Sequence, residues 1–385
     1  MGAVPAWQFQ VSVRAVARRI GRRSLLIGLA ASTVACGREF APLSPAPPRE
    51  FDASRLPPVS LPKDDLPHSN LTEWWYFTGH LAGAGGREFG FEFVVFQGIR
   101  GDAPPSYAAH FAMTDFEGQS FSYDQRTSSY HGAATAAGLD LCVGGWKLRK
   151  NERGFAFNAA MDSHSLSLFL VPTKPPVLHN QRGLLDFSPF GWSYYYSYPR
   201  LAVAGELIVD QFQLQVEGSA WMDHQWGDFI NVGSGGWDWF SLQLDDGRDF
   251  TASIVRDSRY ETVLRYGTLI DKSGGYRHLD ESDFSITVNE TWSSPHSNGR
   301  YPSAWTLRVP SVGLDLKLIP VIPDQELDAR PSTGNFYWEG AVRALADSIA
   351  IGRGYVELTG YAPSGYPDQA LPAERGPNLC VSERQ

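Results

Sequence analysis

The stretch AWMDHQWGDF concentrates groups that could perform acid–base chemistry. It places one imidazole, His224, between two carboxyl groups, Asp223 and Asp228, and it adds two indole rings. In an extended strand, Asp223 and His224 point to opposite faces, whereas His224 and Trp226 share a face. An imidazole beside an aromatic ring in a dry pocket can have its pKa moved across neutrality and can then act as an acid or a base. The alternative is a buried polar corner in which the aspartates cap turns.

Two glutamates lie inside otherwise apolar segments and form a second group of candidates. They are Glu73 in EWWYFTGHL and Glu92 in REFGFEFVVFQ. A carboxyl group that loses its hydration in such a place has a raised pKa and can donate a proton. The alternative is a glutamate paired with an arginine or a backbone amide. We take Glu92 as a candidate acid.

The common catalytic motifs are absent from the sequence. Ser234 lies in VGSGG, where Val232 replaces the first glycine of a nucleophile elbow, and HExxH does not occur. The nine histidines are scattered and show no spacing typical of zinc ligands. The sequence therefore predicts no metal site and no organic cofactor.

The segments that must position these groups are predicted to be β-strands. Apolar runs of about five to ten residues alternate with turn residues at short spacing, and Gly83 to Gly86 predict a hairpin. Helical periodicity is confined to residues 341–351, where we expect about two or three helical turns. This pattern predicts an all-β fold of antiparallel sandwich or barrel architecture.

One predicted strand, EWWYFTGHL, carries four consecutive aromatic residues, Trp74, Trp75, Tyr76 and Phe77. A half-buried strand would alternate apolar and polar residues, so this strand is expected to be buried on both faces. One face meets the core. The other meets either a cavity that holds an apolar ligand or another domain.

The composition limits the class of protein. The 385 residues are enough for two domains, and 43% apolar against 19% charged residues indicates a large core. The net charge is −9, and no basic stripe follows the N-terminal segment, so nucleic acid is not expected as a partner. Beyond that segment no apolar run reaches the roughly 18 residues of a membrane span.

The N-terminus is predicted to be an export signal, residues 1–36, followed by a Pro-rich tether, residues 37–67. Arg22 and Arg23 fit a twin-arginine pattern, and small residues precede Cys36. We expect a periplasmic protein. Either Cys36 is acylated and anchors the protein to the membrane, or cleavage nearby discards it. An oxidising compartment would permit a disulfide between Cys142 and Cys380, but the polar tail around Cys380 favours two unpaired thiols.

A set of aromatic-rich motifs resembles a known family. EWWYFTGHL, AAHFAMTD, WSYYYSYPRL, GSAWMDHQWGDF, GWDWFSLQLDDG, FYWEGAV and GYVELTGYA occur in this order. They resemble the AttH-type lipocalin-like family, which is related to carotenoid 1,2-hydratase (hydroxyneurosporene synthase) and is often labelled as predicted secreted hydrolases. The resemblance runs from about residue 68 to residue 362. It implies two consecutive lipocalin-like β-barrels, residues 68–229 and 230–366, before a polar tail, residues 367–385.

The resemblance also bears on the site. In the carotenoid hydratase branch a His-x-Trp motif is functional, and His224 and Trp226 match it. That branch also uses an acid two residues after a tyrosine. Here Asp257 is the candidate, although Val255 stands where the tyrosine should be. The predicted catalytic residues are Glu92, Asp223, His224, Trp226, Asp228 and Asp257. The predicted pocket residues are Trp74, Tyr76, Phe91, Tyr194, Tyr196 and Trp237.

The residues and the resemblance together predict an exported two-barrel protein that holds a hydrophobic, lipidic or isoprenoid-type molecule. Its expected activity is water addition or hydrolysis by side-chain acid–base chemistry. The alternative is a non-catalytic periplasmic carrier that serves an envelope transporter of the ABC type. An enzyme should direct His224 and at least one carboxyl group into the cavity, whereas a carrier should show an apolar cavity without converging polar groups.

Overall fold

The computed structural model describes residues 52, 55–128, 132–135, 138–229, 234–365 and 380, with the backbone alone for residues 132–135 and 234. The predicted export signal with Cys36, most of the Pro-rich tether and most of the polar tail lie outside these residues.

Antiparallel β-structure dominates the described residues, as the sequence predicts. The first strands are β1 (Thr72–Gly83), β2 (Glu88–Gly98), β3 (Ser106–Asp115), β4 (Ser120–Ser128), β5 (Gly132–Thr135), β6 (Gly138–Val143), β7 (Trp146–Asn151), β8 (Gly154–Ala160), β9 (His164–Pro172), β10 (Val177–Leu178), β11 (Leu184–Asp186), β12 (Gly191–Val209) and β13 (Phe212–Phe229). The others are β14 (Ser234–Leu244), β15 (Asp249–Asp257), β16 (Thr262–Ile270), β17 (Tyr276–Leu279), β18 (Ser285–Ser293), β19 (Arg300–Val309), β20 (Leu314–Pro320), β21 (Glu326–Asp328), β22 (Phe336–Ala346) and β23 (Ile349–Thr359). Short 3₁₀ turns occur at Lys63–Asp65, Ala84–Gly86 and Pro310–Val312. Within the described part of the chain, no helix has the length and apolarity to span a membrane.

The strands form two separate sheets. The first has the order β4-β3-β2-β1-β13-β12-β9-β8-β7-β6-β5, with β10 and β11 added to β12. The second has the order β17-β16-β15-β14-β23-β22-β20-β19-β18, with β21 added to β22. The first sheet curls into a nearly closed barrel and the second into a half-barrel, which confirms the predicted fold of two lipocalin-like barrels. The first sheet ends at Phe229 and the second begins at Ser234.

The predicted helix at residues 341–351 is wrong, because this segment forms the end of β22, a turn and the start of β23. Asp347 and Ser348 make the turn with positive φ angles. The alanine-rich spacing mimics a helix, but β22 pairs with β20 on one side and with β23 on the other. Pairing on both sides satisfies the backbone and overrides the local preference. The predicted hairpin at residues 83–86 is confirmed by the pairing of β1 with β2.

Strand β1 is buried on both faces, which explains its consecutive aromatic residues. Trp75 and Phe77 are fully buried in the core of the first barrel. Trp74 and Tyr76 point the other way and pack in a cluster that includes Trp239 of the second barrel. We call this contact surface between the barrels the interbarrel seam. Its buried apolar residues are Tyr76, Val94, Phe116, Val177, Trp221, Trp239, Ile270, Ala341 and Tyr355.

Gly90 of β2 lies where the barrels approach so closely that a side chain would not fit. A Cβ atom there would lie 2.9 Å from the Ala341 Cβ atom and would clash with the Tyr355 hydroxyl. Nearby, the His80 Nε2 atom lies 2.9 Å from the Gly354 carbonyl oxygen. Burial lowers the pKa of His80 to about 4, so the neutral imidazole donates this hydrogen bond to the second barrel.

Cys142 and Cys380 form a disulfide, with their Cα atoms 5.7 Å apart. The unpaired thiols that the sequence favours are therefore wrong. The disulfide joins residue 380, which follows the second barrel in sequence, to β6 of the first barrel. A contact between residues so distant in sequence leaves no local signal in a single chain.

Candidate active site

A cavity of about 70 Å³ lies at the interbarrel seam. One water molecule needs roughly 10–15 Å³ of such space, so the cavity has room for several waters or for one end of a larger molecule. Five predicted site residues line it, namely Trp74, Tyr76, Glu92, Asp223 and Trp237. The other lining residues are Phe96, Phe187, Tyr195, Gln225, Trp239, Ser253, Val255, Tyr266, Tyr337 and Glu357.

Strand β13 directs Asp223 into this cavity, because alternate side chains of the strand point to opposite faces. The carboxyl group of Asp223 is buried and accepts hydrogen bonds from the Tyr195 hydroxyl at 2.6 Å, the Trp221 indole at 2.6 Å and the Ser197 hydroxyl. Burial raises the pKa of Asp223 to about 7, although these three donors stabilise the carboxylate. Near neutral pH the group can therefore either give or take a proton.

Glu92 reaches the same cavity from β2 and is fully buried. Its Oε1 atom accepts a long hydrogen bond of 3.4 Å from the Tyr337 hydroxyl, and its Oε2 atom has no hydrogen-bond partner among the described residues. Burial, together with the charge of Glu357, raises the pKa of Glu92 well above its ordinary value. These surroundings favour the neutral carboxylic acid, which can offer a proton to a bound molecule.

Two further acids lie at the seam and are not among the residues predicted from the sequence. They are Glu339 and Glu357, which pair across β22 and β23. Glu339 accepts a hydrogen bond from the Tyr76 hydroxyl at 2.7 Å, and Glu357 accepts one from the Trp237 indole at 3.0 Å. Burial raises the pKa of Glu339 well above its ordinary value and that of Glu357 to about 7. The sequence does carry a signal for both glutamates. Each lies within an apolar segment, FYWEGAV or GYVELTGY, as Glu92 does in its own strand.

Aromatic rings form the apolar wall of the cavity and join the two barrels. The Trp74 and Trp237 rings stack with centroids 6.4 Å apart, and the Trp239 ring meets the Tyr76 ring edge-on at 5.2 Å. The Trp239 indole also donates a hydrogen bond to the Tyr195 hydroxyl at 3.0 Å. Such rings exclude water, and their faces attract a developing positive charge.

This arrangement can move protons with side chains alone. Carboxyl groups whose surroundings hold their pKa values apart can divide the roles of acid and base. Burial favours the protonated form of Glu92, whereas three hydrogen-bond donors favour the ionised form of Asp223. The pair can therefore protonate one atom of a bound molecule and accept a proton from water.

The raised pKa values predict that the protein loses stability as the pH rises. Glu357 has a folded-state pKa of about 7 against an ordinary value of 4.5. Its protonated form is therefore favoured by folding, and this stabilisation is complete below about pH 4.5 and lost as the pH rises through about 7. Between about pH 5 and pH 9, we expect the free energy of unfolding of wild type to fall by up to about 3 kcal/mol more than that of Glu357→Gln.

Urea unfolding at the two pH values measures this difference. Glu261→Gln is the matched control, because Glu261 is exposed and forms a surface ion pair with Arg259. Its pH dependence should equal that of wild type. If the stability of wild type and of Glu357→Gln depends on pH in the same way, the raised pKa of Glu357 is contradicted.

His224 and Trp226 do not line the cavity. They point into the first barrel from the opposite face of β13, as the alternation predicts. His224 is fully buried there, with its Nε2 atom 2.8 Å from the Glu73 Oε1 atom. Three predicted pocket residues also belong to this interior, namely Phe91, Tyr194 and Tyr196. The structure therefore divides the predicted site between two faces of one sheet. Carboxyl groups enter the cavity, as expected of an enzyme, whereas the His224 imidazole, which was expected there as well, does not.

Asp228 and Asp257 lie at strand ends, outside the residues that line the cavity. The Asp228 Oδ1 atom accepts hydrogen bonds from the Asn70 amide at 3.2 Å and the Leu71 N–H at 3.3 Å. The Asp257 Oδ1 atom accepts hydrogen bonds from two backbone N–H groups of the turn that follows β15, at 2.8 and 3.0 Å. Both carboxylates fix the backbone locally, which for Asp228 matches the alternative of an aspartate that caps a turn.

Comparison with known proteins agrees with this architecture. The model of the family described as AttH-like matches residues 52–361. The crystal structure of a candidate AttH from Nitrosomonas europaea is similar, with 30% identity and a TM-score of 0.72 over 82% of this chain and 100% of that chain. Kievitone hydratase from Nectria haematococca shares the fold at 19% identity, with a TM-score of 0.64 over 82% of this chain and 98% of that chain. None of the curated proteins compared matches the sequence significantly.

Proposed function

This chain belongs to the AttH-like family, and we propose that it is an enzyme that adds water to a hydrophobic molecule, or hydrolyses one, at the interbarrel cavity. The observation that carries the proposal is the convergence of buried carboxyl groups with raised pKa values on one aromatic cavity. Burying such groups is costly, and strongly perturbed pKa values cluster at functional sites. A carrier for an apolar molecule would need none of them.

In the proposed water addition, Glu92 transfers its carboxyl proton to one carbon of a C=C bond, and the other carbon becomes positively charged. The faces of the surrounding indole and phenol rings attract this charge. A water molecule bonds to the charged carbon while Asp223 accepts one of its protons. The net change is the addition of one water, and return of the proton from Asp223 to Glu92 resets the site. In hydrolysis, Glu92 would protonate the leaving group instead.

The size of the cavity bears on the kind of substrate. About 70 Å³ is too little for a whole lipid chain but sufficient for the reacting end of one. Trp74, Trp237 and Tyr266 are only partly buried and would contact the rest of the molecule at the mouth. Kievitone hydratase is by its name an enzyme that adds water, so the fold is compatible with this reaction.

The test of this proposal does not require that the substrate be known. Native mass spectrometry of the purified protein would identify any co-purified hydrophobic molecule. Incubation of that molecule with fresh protein in heavy-oxygen water should then yield a product that contains oxygen from the solvent. A bound molecule that is always recovered unchanged would instead indicate the carrier.

We further propose that the protein works outside the cytoplasm. The support is the twin-arginine pattern at Arg22 and Arg23, the small residues before Cys36, and the Cys142–Cys380 disulfide. Fractionation of cells that produce wild type or Cys36→Ser tests this. Recovery of both proteins from the cytoplasm would refute export, and recovery of both as soluble periplasmic proteins would refute acylation alone.

A further inference from the structure

A second group of buried polar residues lies inside the first barrel, on the side of β1 and β13 opposite to the cavity. It joins His68, which precedes β1, with Glu73 of β1 and His224 of β13. One ligand atom from each of these residues lies within 4.8 Å of the others. The Glu73 and His224 side chains are fully buried, and the His68 side chain is 20% exposed.

Both imidazoles direct a ring nitrogen at the same oxygen atom. The His68 Nδ1 atom lies 2.7 Å from the Glu73 Oε1 atom, and the His224 Nε2 atom lies 2.8 Å from it. The other oxygen, Oε2, accepts hydrogen bonds from the His68 backbone N–H at 2.8 Å and from the Gln97 side chain at 3.0 Å. Glu73 is therefore held in one orientation, and its donors favour the carboxylate form.

The outer contacts of His224 fit a tautomer that directs a ring-nitrogen lone pair at Glu73. The Tyr196 hydroxyl donates its only proton to the Asp65 Oδ1 atom at 2.7 Å, and Asp65 forms an ion pair of 2.8 Å with Lys150. The His224 Nδ1 atom lies 3.1 Å from the Tyr196 oxygen, a position from which an Nδ1–H group would donate a hydrogen bond. In that tautomer the Nε2 lone pair of His224 is directed at the Glu73 carboxylate.

Two lone pairs at 2.8 Å repel each other unless a positive charge lies with them. A metal ion supplies the charge and accepts all three lone pairs. Two imidazoles and one carboxylate are a common ligand set for Zn²⁺.

We propose that His68, Glu73 and His224 bind a divalent transition-metal ion, with Zn²⁺ as the ion that these donors suit best. Tetrahedral zinc with bonds of about 2.0–2.1 Å places its ligand atoms about 3.3 Å apart. The Glu73 Oε1 atom here lies 2.7 and 2.8 Å from the two imidazole nitrogens. The outer contacts resemble those of metal-bound histidines, whose second nitrogen usually leads to an acceptor. The His224 Nδ1 atom contacts the Tyr196 hydroxyl, which in turn donates a hydrogen bond to Asp65. The His68 Nε2 atom lies 3.7 Å from the Asp64 Oδ1 atom.

The proposed ion would attach the segment before β1 to the interior of the first barrel. His68 is the only one of the three ligands that lies outside a strand, and its ring stacks on Trp226 at a centroid distance of 4.2 Å. Binding to the folded chain but not to the unfolded one would raise the melting temperature. The ion is independent of the interbarrel cavity, so this proposal and the proposed function can fail separately.

The test uses the untagged full chain, stripped of metal with a chelator and then titrated with Zn²⁺. We expect about one bound zinc per chain and a higher melting temperature, with no such rise for Mg²⁺, which prefers oxygen ligands. His68→Ala should weaken zinc binding by roughly a hundredfold or more. His296→Ala is the matched control, because its imidazole is exposed at the surface and contacts Asp324; it should bind like wild type.

Three results would overturn the proposal. The first is that the wild-type protein binds less than about a tenth of an equivalent of zinc and that zinc does not change its melting temperature. The second is His68→Ala that binds zinc as tightly as wild type. The third is a nitrogen NMR spectrum that shows both His224 ring nitrogens protonated and unaffected by zinc, since a proton would then carry the charge.

Discussion

Glu92→Gln is expected to reduce turnover about a hundred- to ten-thousand-fold without unfolding the protein. Glutamine has nearly the same shape and can still accept the hydrogen bond from Tyr337, but it cannot supply an acidic proton. Because burial favours the neutral form of Glu92, the exchange is expected to leave the charge of the cavity unchanged. Single-turnover rates with the molecule found by native mass spectrometry, together with thermal melts, would measure both effects.

Glu88→Gln is the matched control on the same strand. The Glu88 carboxylate lies at the surface and accepts a hydrogen bond from Arg343 at 2.7 Å. Such an exposed pair contributes little, about 1 kcal/mol or less, and the residue does not line the cavity. Glu88→Gln should therefore keep full turnover. If Glu92→Gln keeps it as well, Glu92 is not the acid and the proposed reaction loses its proton donor.

The sequence could predict those features that depend on alternation along a strand. The pattern of β1 predicted burial on both faces, and the pattern of β13 predicted that Asp223 and His224 point apart. Both hold in the structure, where Trp75 lies in the barrel core and Tyr76 lies at the seam. The rule does not say which face of β13 meets a cavity. His224 was the more conspicuous residue, but its neighbour Asp223 is the one that lines the cavity.

The remaining features depend on contacts between residues that are distant in sequence. Glu339 and Glu357 reach the seam only because β22 and β23 pair beside β14. His68 lies close to His224 although 156 positions separate them in sequence (224 minus 68). No ligand motif has such a spacing. The helix predicted at residues 341–351 is wrong for the same reason. The pairing of β22 with β20 and β23 outweighs the helix-like spacing of the local residues.

Asp249→Ala is expected to destabilise the protein by about 3–5 kcal/mol. The buried Lys174 ammonium would keep two carbonyl acceptors but would lose the carboxylate that balances its charge. The fully buried Asp249 carboxylate, in β15 of the second barrel, lies 2.6 Å from Lys174 Nζ and 2.6 Å from an Arg200 nitrogen, both of the first barrel. Burial raises the pKa of Asp249, whereas Arg200 and Lys174 hold it down. With two cations in direct contact, we take the carboxylate as ionised.

Asp246→Ala in the turn before β15 is the matched control, since its carboxylate is half exposed and pairs with Arg248 across the turn. It should lower the free energy of unfolding, measured in urea, by about 1 kcal/mol or less.

The double variant Lys174→Met with Asp249→Leu should recover part of the stability that Asp249→Ala loses, because apolar side chains of similar size can replace a buried ion pair. A single Asp249→Ala variant as stable as Asp246→Ala would show that the ion pair does not hold the barrels together. The expected loss would instead mean that the seam depends on this network, and with it the cavity, because β15 also carries Ser253 and Val255 on the cavity wall.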